Sequence, residues 1–411
     1  MNDDYLNKRY NNFVIALLLL FPLVINSVKI FGNLIILILV FLGIYVLINE
    51  KKSPFKIPEI KLFSWLTFGY FIVMLVSIVQ NEGFVDDLYH LGRKAHFALA
   101  PLIALAIYRV KLPLNKLLLN IKIGLIIIGI IVIYQDISGV GRPSGMYNAN
   151  IFGDIVLVMI FFSLTNLFEE KKFSRILGVI SSSLGVYAII LSGNRGTFLM
   201  LVVMSVAYLL IIFKKYFSGN VKKKLISIVV LSVILGVLST HSNVQSGFQS
   251  AYSNLFSSSE GYNVNSSSGL RVEMWRGSVE AFKDSPWTGH GYRNANAVVS
   301  KYVKEEIQET VFAFTHLHNE YITNLVSAGV IGLISVLLLL LLPLKVFIQN
   351  LKNDDTFLYS FMGIFLCLGY MGIGMTHIAF GEEHVNAFYI FFLAILLPEV
   401  IKKEMVLTDC K

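Results

Sequence analysis

Residues 321–347 read YITNLVSAGVIGLISVLLLLLLPLKVF, with Lys345 the one charged side chain in 27 positions. At about 1.5 Å of rise per residue, a helix of that length reaches roughly 40 Å, more than the ~30 Å hydrocarbon core of a bilayer. The stretch therefore predicts a membrane-spanning helix. Outward from it, further apolar runs lie near 13–28, 31–48, 62–79, 95–110, 123–138, 151–167, 176–191, 197–213, 225–240, 357–380 and 385–401. About twelve transmembrane helices follow, because a chain in lipid must satisfy its backbone hydrogen bonds internally. Composition agrees: 15% of residues are charged, against the ~25% of soluble domains, and the mean hydropathy is +0.69. A soluble globular enzyme is excluded, and the expected fold is an all-α integral membrane protein.

The net charge of +8 is explained by the placement of the basic residues. With a cytoplasmic N-terminus, twelve spans put 23 of the 34 Lys and Arg on the inner side, in clusters such as Lys51, Lys52, Lys56 and Lys61. The short outer loops carry five: Lys29, Arg93, Lys94, Arg142 and Arg195. Both termini are thus expected in the cytoplasm, and the positive charge requires no nucleic acid. The polar start, Met1 to Asn12, shows no cleavable signal peptide, so the first run is expected to remain as an anchor. Cys367 and Cys410 sit in unlike settings and suggest neither a disulfide framework nor a cysteine metal site.

Three segments follow: 1–240 with nine spans, 241–320 as one large outer loop, and 321–411 with three spans and a cytoplasmic tail. The first 30 residues of the loop hold ten Ser and four Asn, a composition that favours a hydrated, mobile stretch. From Leu270 to Asp284, Val272, Trp275, Val279 and Phe282 recur at three- and four-residue steps, predicting an amphipathic helix stopped by Ser285 and Pro286.

Sorted by side, Arg142, Arg195, Arg271, Arg276, Arg293, His316 and His318 share the outer face. Arg195 lies in a short polar break, Ser192 to Gly196, between two apolar runs, where a charge either binds an anion or snorkels to the surface. Arg271 and Trp275, four residues apart, fall on one helical face, suited to an anion or to lipid headgroups. His316-Leu317-His318-Asn319 offers a general base near neutral pH, a structural histidine, or a metal pair that lacks a third ligand. No Walker, DxD, dinucleotide or G-x-S-x-G motif is present, which removes ATP hydrolysis, metal-dependent nucleotide-sugar transfer and serine hydrolysis.

His318-Asn319, nine residues, then Gly329-Val330-Ile331-Gly332 resembles the histidine motif of the O-antigen ligase and O-antigen polymerase superfamily. Arg142 to Gly153 (RPSGMYNANIFG), Ser192 to Gly196, Gly269-Leu270-Arg271 with Met274-Trp275, and Pro286 to Gly291 resemble its other signatures in the same order. His290 departs from the small or apolar residue usual between the two glycines. The resemblance implies a GT-C-type glycosyltransferase in the bacterial inner membrane, with a large periplasmic loop and its active site at the periplasmic face. It would move a glycan from undecaprenyl diphosphate to a lipid A-core hydroxyl. His318 would be the general base, and Arg195 and Arg271 would bind the diphosphate. Arg142, Asn319, His316, Trp275 and Arg276 would contact substrate, with no metal and no cofactor. Membrane lipid is the remaining partner. The nearest alternative is O-antigen polymerase, with a second lipid-linked repeat unit as acceptor; a lipid-linked glycan transporter is a further one, disfavoured by the scarcity of intramembrane ionisable residues.

Overall fold

A computed structural model describes residues 3–80, 84–169, 171–229 and 263–409, with 245–246, 249–250 and 252–253 between them. Its helices are α1 (Asp3–Val24), α2 (Phe31–Glu50), α3 (Pro58–Gln80), α4 (Phe84–Ile107), α5 (Leu114–Ile137), α6 (Ala149–Ser163), α7 (Lys172–Ser192) and α8 (Arg195–Lys215). A helical stretch at 221–229 follows, then α9 (Ser267–Asp284), α10 (Asn294–Ser300), α11 (Gln308–Ala313), α12 (Glu320–Asn350), α13 (Phe357–Thr376) and α14 (Glu383–Asp409). No strand occurs among the described residues. Most of the expected ninth run, 230–240, and most of the serine-rich stretch 241–262 lie outside them.

Eight of these helices, α2, α3, α5, α7, α8, α12, α13 and α14, are long and apolar enough to cross a membrane. The 15-residue α6 reaches only about 23 Å. The molecule is an all-α, multi-pass membrane protein. Its surface agrees: α2 turns Leu37, Phe41, Tyr45 and Ile48 outward, with Phe41 61% and Ile48 67% exposed. Water would penalise such a surface at about 25 cal/mol per Å², whereas lipid does not. The α13 and α14 helices are enclosed instead, burying Phe361, Phe365, Phe388 and Phe392.

The chain forms two compact units, one of 1–14, 33–111 and 251–411 and the other of 15–32 and 112–250. In the first, α3, α4, α12, α13 and α14 pack against one another, and α9 and α10 lie against α12. The segment from Val264 to Val326 has its own small core of Met274, Ala281, Ala295, Val299, Val303, Ile307, Val311 and Leu317. In the second unit α5, α6 and α7 form the packed centre, with α8 against α6 and α7.

Two expectations need correction. The amphipathic helix exists, but its packed face is shifted from the apolar stripe: Trp275 packs on the small core, while Val279 turns outward. α9 buries Glu273, Met274, Gly277, Ser278 and Ala281, while Val279 is 55% exposed. Small residues win because α9 approaches α10 closely: a Cβ on Gly277 would stand 3.2 Å from the Val299 carbonyl oxygen.

The second correction concerns the 321–347 run, which is not one continuous helix. Within α12, Ala328 (φ −131°, ψ 17°) and Gly329 (φ 64°, ψ −159°) leave helical geometry. The loop after α9 fills the break. Val330 N donates to Pro286 O (2.8 Å), His290 N to Val326 O (2.9 Å) and Gly291 N to Ser327 O (2.9 Å). Backbone pairing at this range needs glycine on both sides. A Cβ on Gly289 would sit 2.4 Å from Ala328 N, and one on Gly329 would sit 2.3 Å from Trp287 C. The His290 imidazole adds a bond of its own, Nε2 donating to Ala281 O of α9 at 2.7 Å.

Gly329→Ala places a side chain in a glycine-only backbone region, a cost of about 1–3 kcal/mol before the overlap with Trp287 is counted. Thermal unfolding in detergent should show a marked loss of stability for Gly329→Ala and Gly289→Ala. Gly69→Ala, whose Cβ meets nothing within 4 Å, should unfold like the wild type. Equal melting of all four proteins would contradict the junction.

Candidate functional site

In the first unit the chain narrows to a histidine cluster. Ser266 caps α9, its Oγ accepting from Gly269 N at 3.0 Å, and this sets Arg271 in the helix's first turns. The segment between α11 and α12 carries His316 and His318, and three of its backbone groups are held by side chains. Asn296 Nδ2 donates to His316 O (3.4 Å), Trp275 Nε1 to Leu317 O (3.0 Å), and Leu317 N to Thr323 Oγ1 (3.3 Å). Trp275 thus spends its indole N–H on bracing the His-Leu-His segment. His318 has a left-handed backbone, φ 50°, rare for a residue with a side chain and characteristic of functional sites. The turn brings the two imidazoles to 4.5 Å between ring centres without an extended strand.

Asn319 caps α12, its Oδ1 accepting from Ile322 N at 3.0 Å while its Nδ2 donates to Met375 O at 3.1 Å. That second bond reaches the end of α13, where His377 stands 5.3 Å from His316 and 6.1 Å from His318 between ring centres. Glu320, fully buried, ties the same two segments. Its Oε2 accepts from Phe380 N (3.0 Å), its Oε1 from Asn324 Nδ2 (2.7 Å), and Lys94 Nζ lies 3.9 Å away. Lys94 also donates to Tyr70 Oη at 2.9 Å. Arg93 donates to Gly381 O (3.3 Å) and Glu382 Oε1 (3.2 Å), which places a guanidinium beside the cluster.

Burial holds these imidazoles neutral. His316 is pushed down to about 2 by burial first, then by His318, His377, Arg93 and Arg271. His318 is pushed down to about 4 by burial and then by Arg271 and His377. His377 is lowered by burial, against the pull of its bond to the Ile378 carbonyl. A neutral imidazole beside fixed guanidiniums can accept a proton from a hydroxyl while the arginines hold an anion.

The second unit carries the other two signatures, and they dock on each other. Arg142 Nε donates to Ser192 O (2.9 Å) and its Nη2 to Asn150 Oδ1 (3.3 Å). Asn194 Nδ2 donates to Asn150 O (3.1 Å), and its Oδ1 caps α8 through Thr197 N (3.2 Å). Thr197 Oγ1 donates to Asp154 Oδ1 at 3.0 Å. Arg142 is therefore a tie between loops. Arg195 is exposed at the first position of α8. A cation there opposes the positive end of the helix dipole, a cost of ~0.3–1 kcal/mol that an anion would offset.

Among the sequence-predicted residues, His316, His318, Asn319, Arg271 and Trp275 gather at the histidine cluster. Arg276 instead pairs with buried Glu273, Nε to Oε2 at 2.8 Å, and its side chain is mostly exposed. Arg142 and Arg195 belong to the second unit. The sequence placed Arg93 and Lys94 on the outer side but not among the site residues, and it passed over His377 and Glu320. Topology was the available signal for His377, because a helix that starts inside ends on the outer side.

Three similarities bear on this arrangement. The profile of the family described as O-antigen ligase (Wzy_C) matches residues 180–337, which contain Arg195, Arg271, His316, His318 and the Gly289–Gly329 junction. An uncharacterized protein of Haemophilus influenzae is 27% identical over 357 residues, covering 84% of this chain and 88% of that protein. An O-antigen ligase of Escherichia coli is 26% identical over 265 residues, 63% of this chain and 58% of the ligase. The alignment thus spans little more than half of the ligase's length. Four of the five signatures lie within the matched span and Arg142 to Gly153 lies before it, so over residues 180–337 the chain is similar to the O-antigen ligase family.

Proposed function

We propose that the protein is a metal-independent glycosyltransferase of the O-antigen ligase type, acting at the periplasmic face of the inner membrane. The donor is a glycan on undecaprenyl diphosphate and the acceptor a lipid A-core sugar hydroxyl. The observation that carries this reading is the clustering of neutral imidazoles with Arg271 at the capped start of α12. The similarity to an O-antigen ligase supports it. Segment 241–320 is the periplasmic loop between the nine preceding and three following spans, with both termini in the cytoplasm.

His318 accepts the proton of the acceptor hydroxyl as that oxygen bonds to the anomeric carbon. The bond from the anomeric carbon to the phosphate oxygen breaks, its electron pair leaving on the diphosphate. Attack from the side opposite the diphosphate inverts the anomeric centre. Charge grows on the leaving phosphate, and guanidiniums stabilise it with paired, permanently charged hydrogen bonds. Arg271 supplies this beside the histidine cluster, and the resemblance assigns the same role to Arg195. Asn319 and His316 orient the acceptor. Trp275 acts one step back by fixing Leu317, and Arg276 contributes least because Glu273 already engages it.

Reconstitution with purified lipid-linked glycan, offered lipid A-core or a second repeat unit, tests the assignment. The product should be glycan on lipid A-core, and His318→Ala should lose about 10²–10⁴ in rate, the usual worth of a general base. Extension of the lipid-linked unit instead would identify a polymerase, and near-normal turnover of His318→Ala would end the base assignment. Arg271→Ala and Arg195→Ala should each cost about 10²–10³ in kcat, the loss expected for one preorganised donor. Arg276→Ala should stay within a few-fold of wild type, and a deficit as large as that of Arg271→Ala would contradict the reading. Treatment with EDTA should leave transfer unchanged; abolished activity would mean that a metal is required.

A further inference from the structure

The third ligand that the His-Leu-His pair lacks in sequence is present in the fold. His316, His318 and His377 each bring one ring nitrogen to within 4.8 Å of the others. Their hydrogen bonds leave lone pairs available. His377 Nδ1 lies 3.2 Å from the Ile378 carbonyl, which only accepts, so Nδ1 carries the proton and Nε2 is left with its lone pair. His316 Nδ1 engages Thr315 Oγ1 at 3.0 Å, while its Nε2 is buried with no partner among the described residues. His318 Nδ1 is likewise buried and without one. Buried ring nitrogens are ordinarily satisfied, and two orphans in one cluster point to a ligand. The Thr315 and Ile378 bonds are the outer-shell contacts that orient metal-binding imidazoles.

From this geometry we infer that His316, His318 and His377 form a binding site for one transition-metal dication of the zinc class, with a fourth coordination position open. Tetrahedral zinc with bonds of about 2.0–2.1 Å needs ligand nitrogens roughly 3.3 Å apart, so the ring nitrogens close by up to about 1.5 Å. All three ligands are nitrogen, which suits Zn²⁺, Co²⁺, Ni²⁺ and Cu²⁺ and rejects Mg²⁺ and Ca²⁺. Arg271 and Arg93 nearby further discourage hard dications held by charge alone. A bound metal takes the lone pair of His318, so the ion is an inhibitor and not a cofactor. That consequence rests on His318 being the base, whereas binding itself does not.

Cobalt(II) is the probe, added to the full chain in nanodiscs with its purification tag removed, and its visible absorption reports nitrogen coordination. One Co²⁺ should bind per chain, Zn²⁺ should displace it, and Mg²⁺ should not. His377→Ala and His316→Ala should each weaken binding by more than about 100-fold, since loss of an outer-shell contact alone costs about 10–100-fold. Melting temperatures measured on the same samples exclude unfolding as the cause. An aqueous cobalt spectrum with the wild type, or unchanged binding by both variants, would overturn the site. In a parallel transfer assay Zn²⁺ should inhibit and EDTA restore activity. Coordinated Co²⁺ with undiminished transfer would uphold the metal site and remove His318 as base.

Discussion

The site depends on a meeting of two backbones. Gly289 and Gly329, 40 residues apart, both adopt positive φ and stand where any side chain would strike the opposite backbone. Their approach lets the loop after α9 satisfy the backbone groups freed by the break in α12. Inside a membrane protein such a break is tolerated only where protein supplies those bonds. The consequence is positional: α9 carries Arg271, α12 begins at the cap beside His318, and the junction fixes one relative to the other. His290 serves the same end by binding the α9 carbonyl of Ala281.

Around that frame the chemistry is a balance between burial and fixed charge. Three imidazoles are kept neutral by desolvation, and Arg271 opposes protonation of all three. Guanidiniums do not give up their protons, so the cationic part of the cluster is permanent while the basic part stays free. Buried Glu320 compensates on the far side, pinned by Lys94, Asn324 and the Phe380 amide, and it links the His318 and His377 segments. An arrangement that keeps imidazole lone pairs free for a sugar proton also exposes them to a soft metal ion. The same three residues carry both readings for that reason.

Much of this was legible in the sequence, and the rest fails for identifiable reasons. Apolar runs marked the helices because hydropathy is a local property, and each described run lies on a helix. The His-Leu-His pair and Arg271 were legible as chemistry because their residue types and order carry it. The packed face of α9 was not, because small residues at Gly277 and Ser278 permit close approach while hydrophobicity pointed to Val279. The break in α12 hid inside an apolar run, since a glycine there does not disclose which loop meets it. His377, just past the end of α13, and Arg93, inside α4, arrive through tertiary packing from 59 and 225 residues away from His318, and no spacing encodes that.

The most direct test of the central claim is a kinetic double-mutant cycle between Arg271 and His318 in the reconstituted transfer reaction. Residues that act as one unit on one transition state are strongly non-additive. The account predicts that the double variant Arg271→Ala with His318→Ala is about as slow as the slower single variant. Losses that multiply, so that the double variant is slower by the product of the two single effects, would show two groups working independently and contradict a shared site.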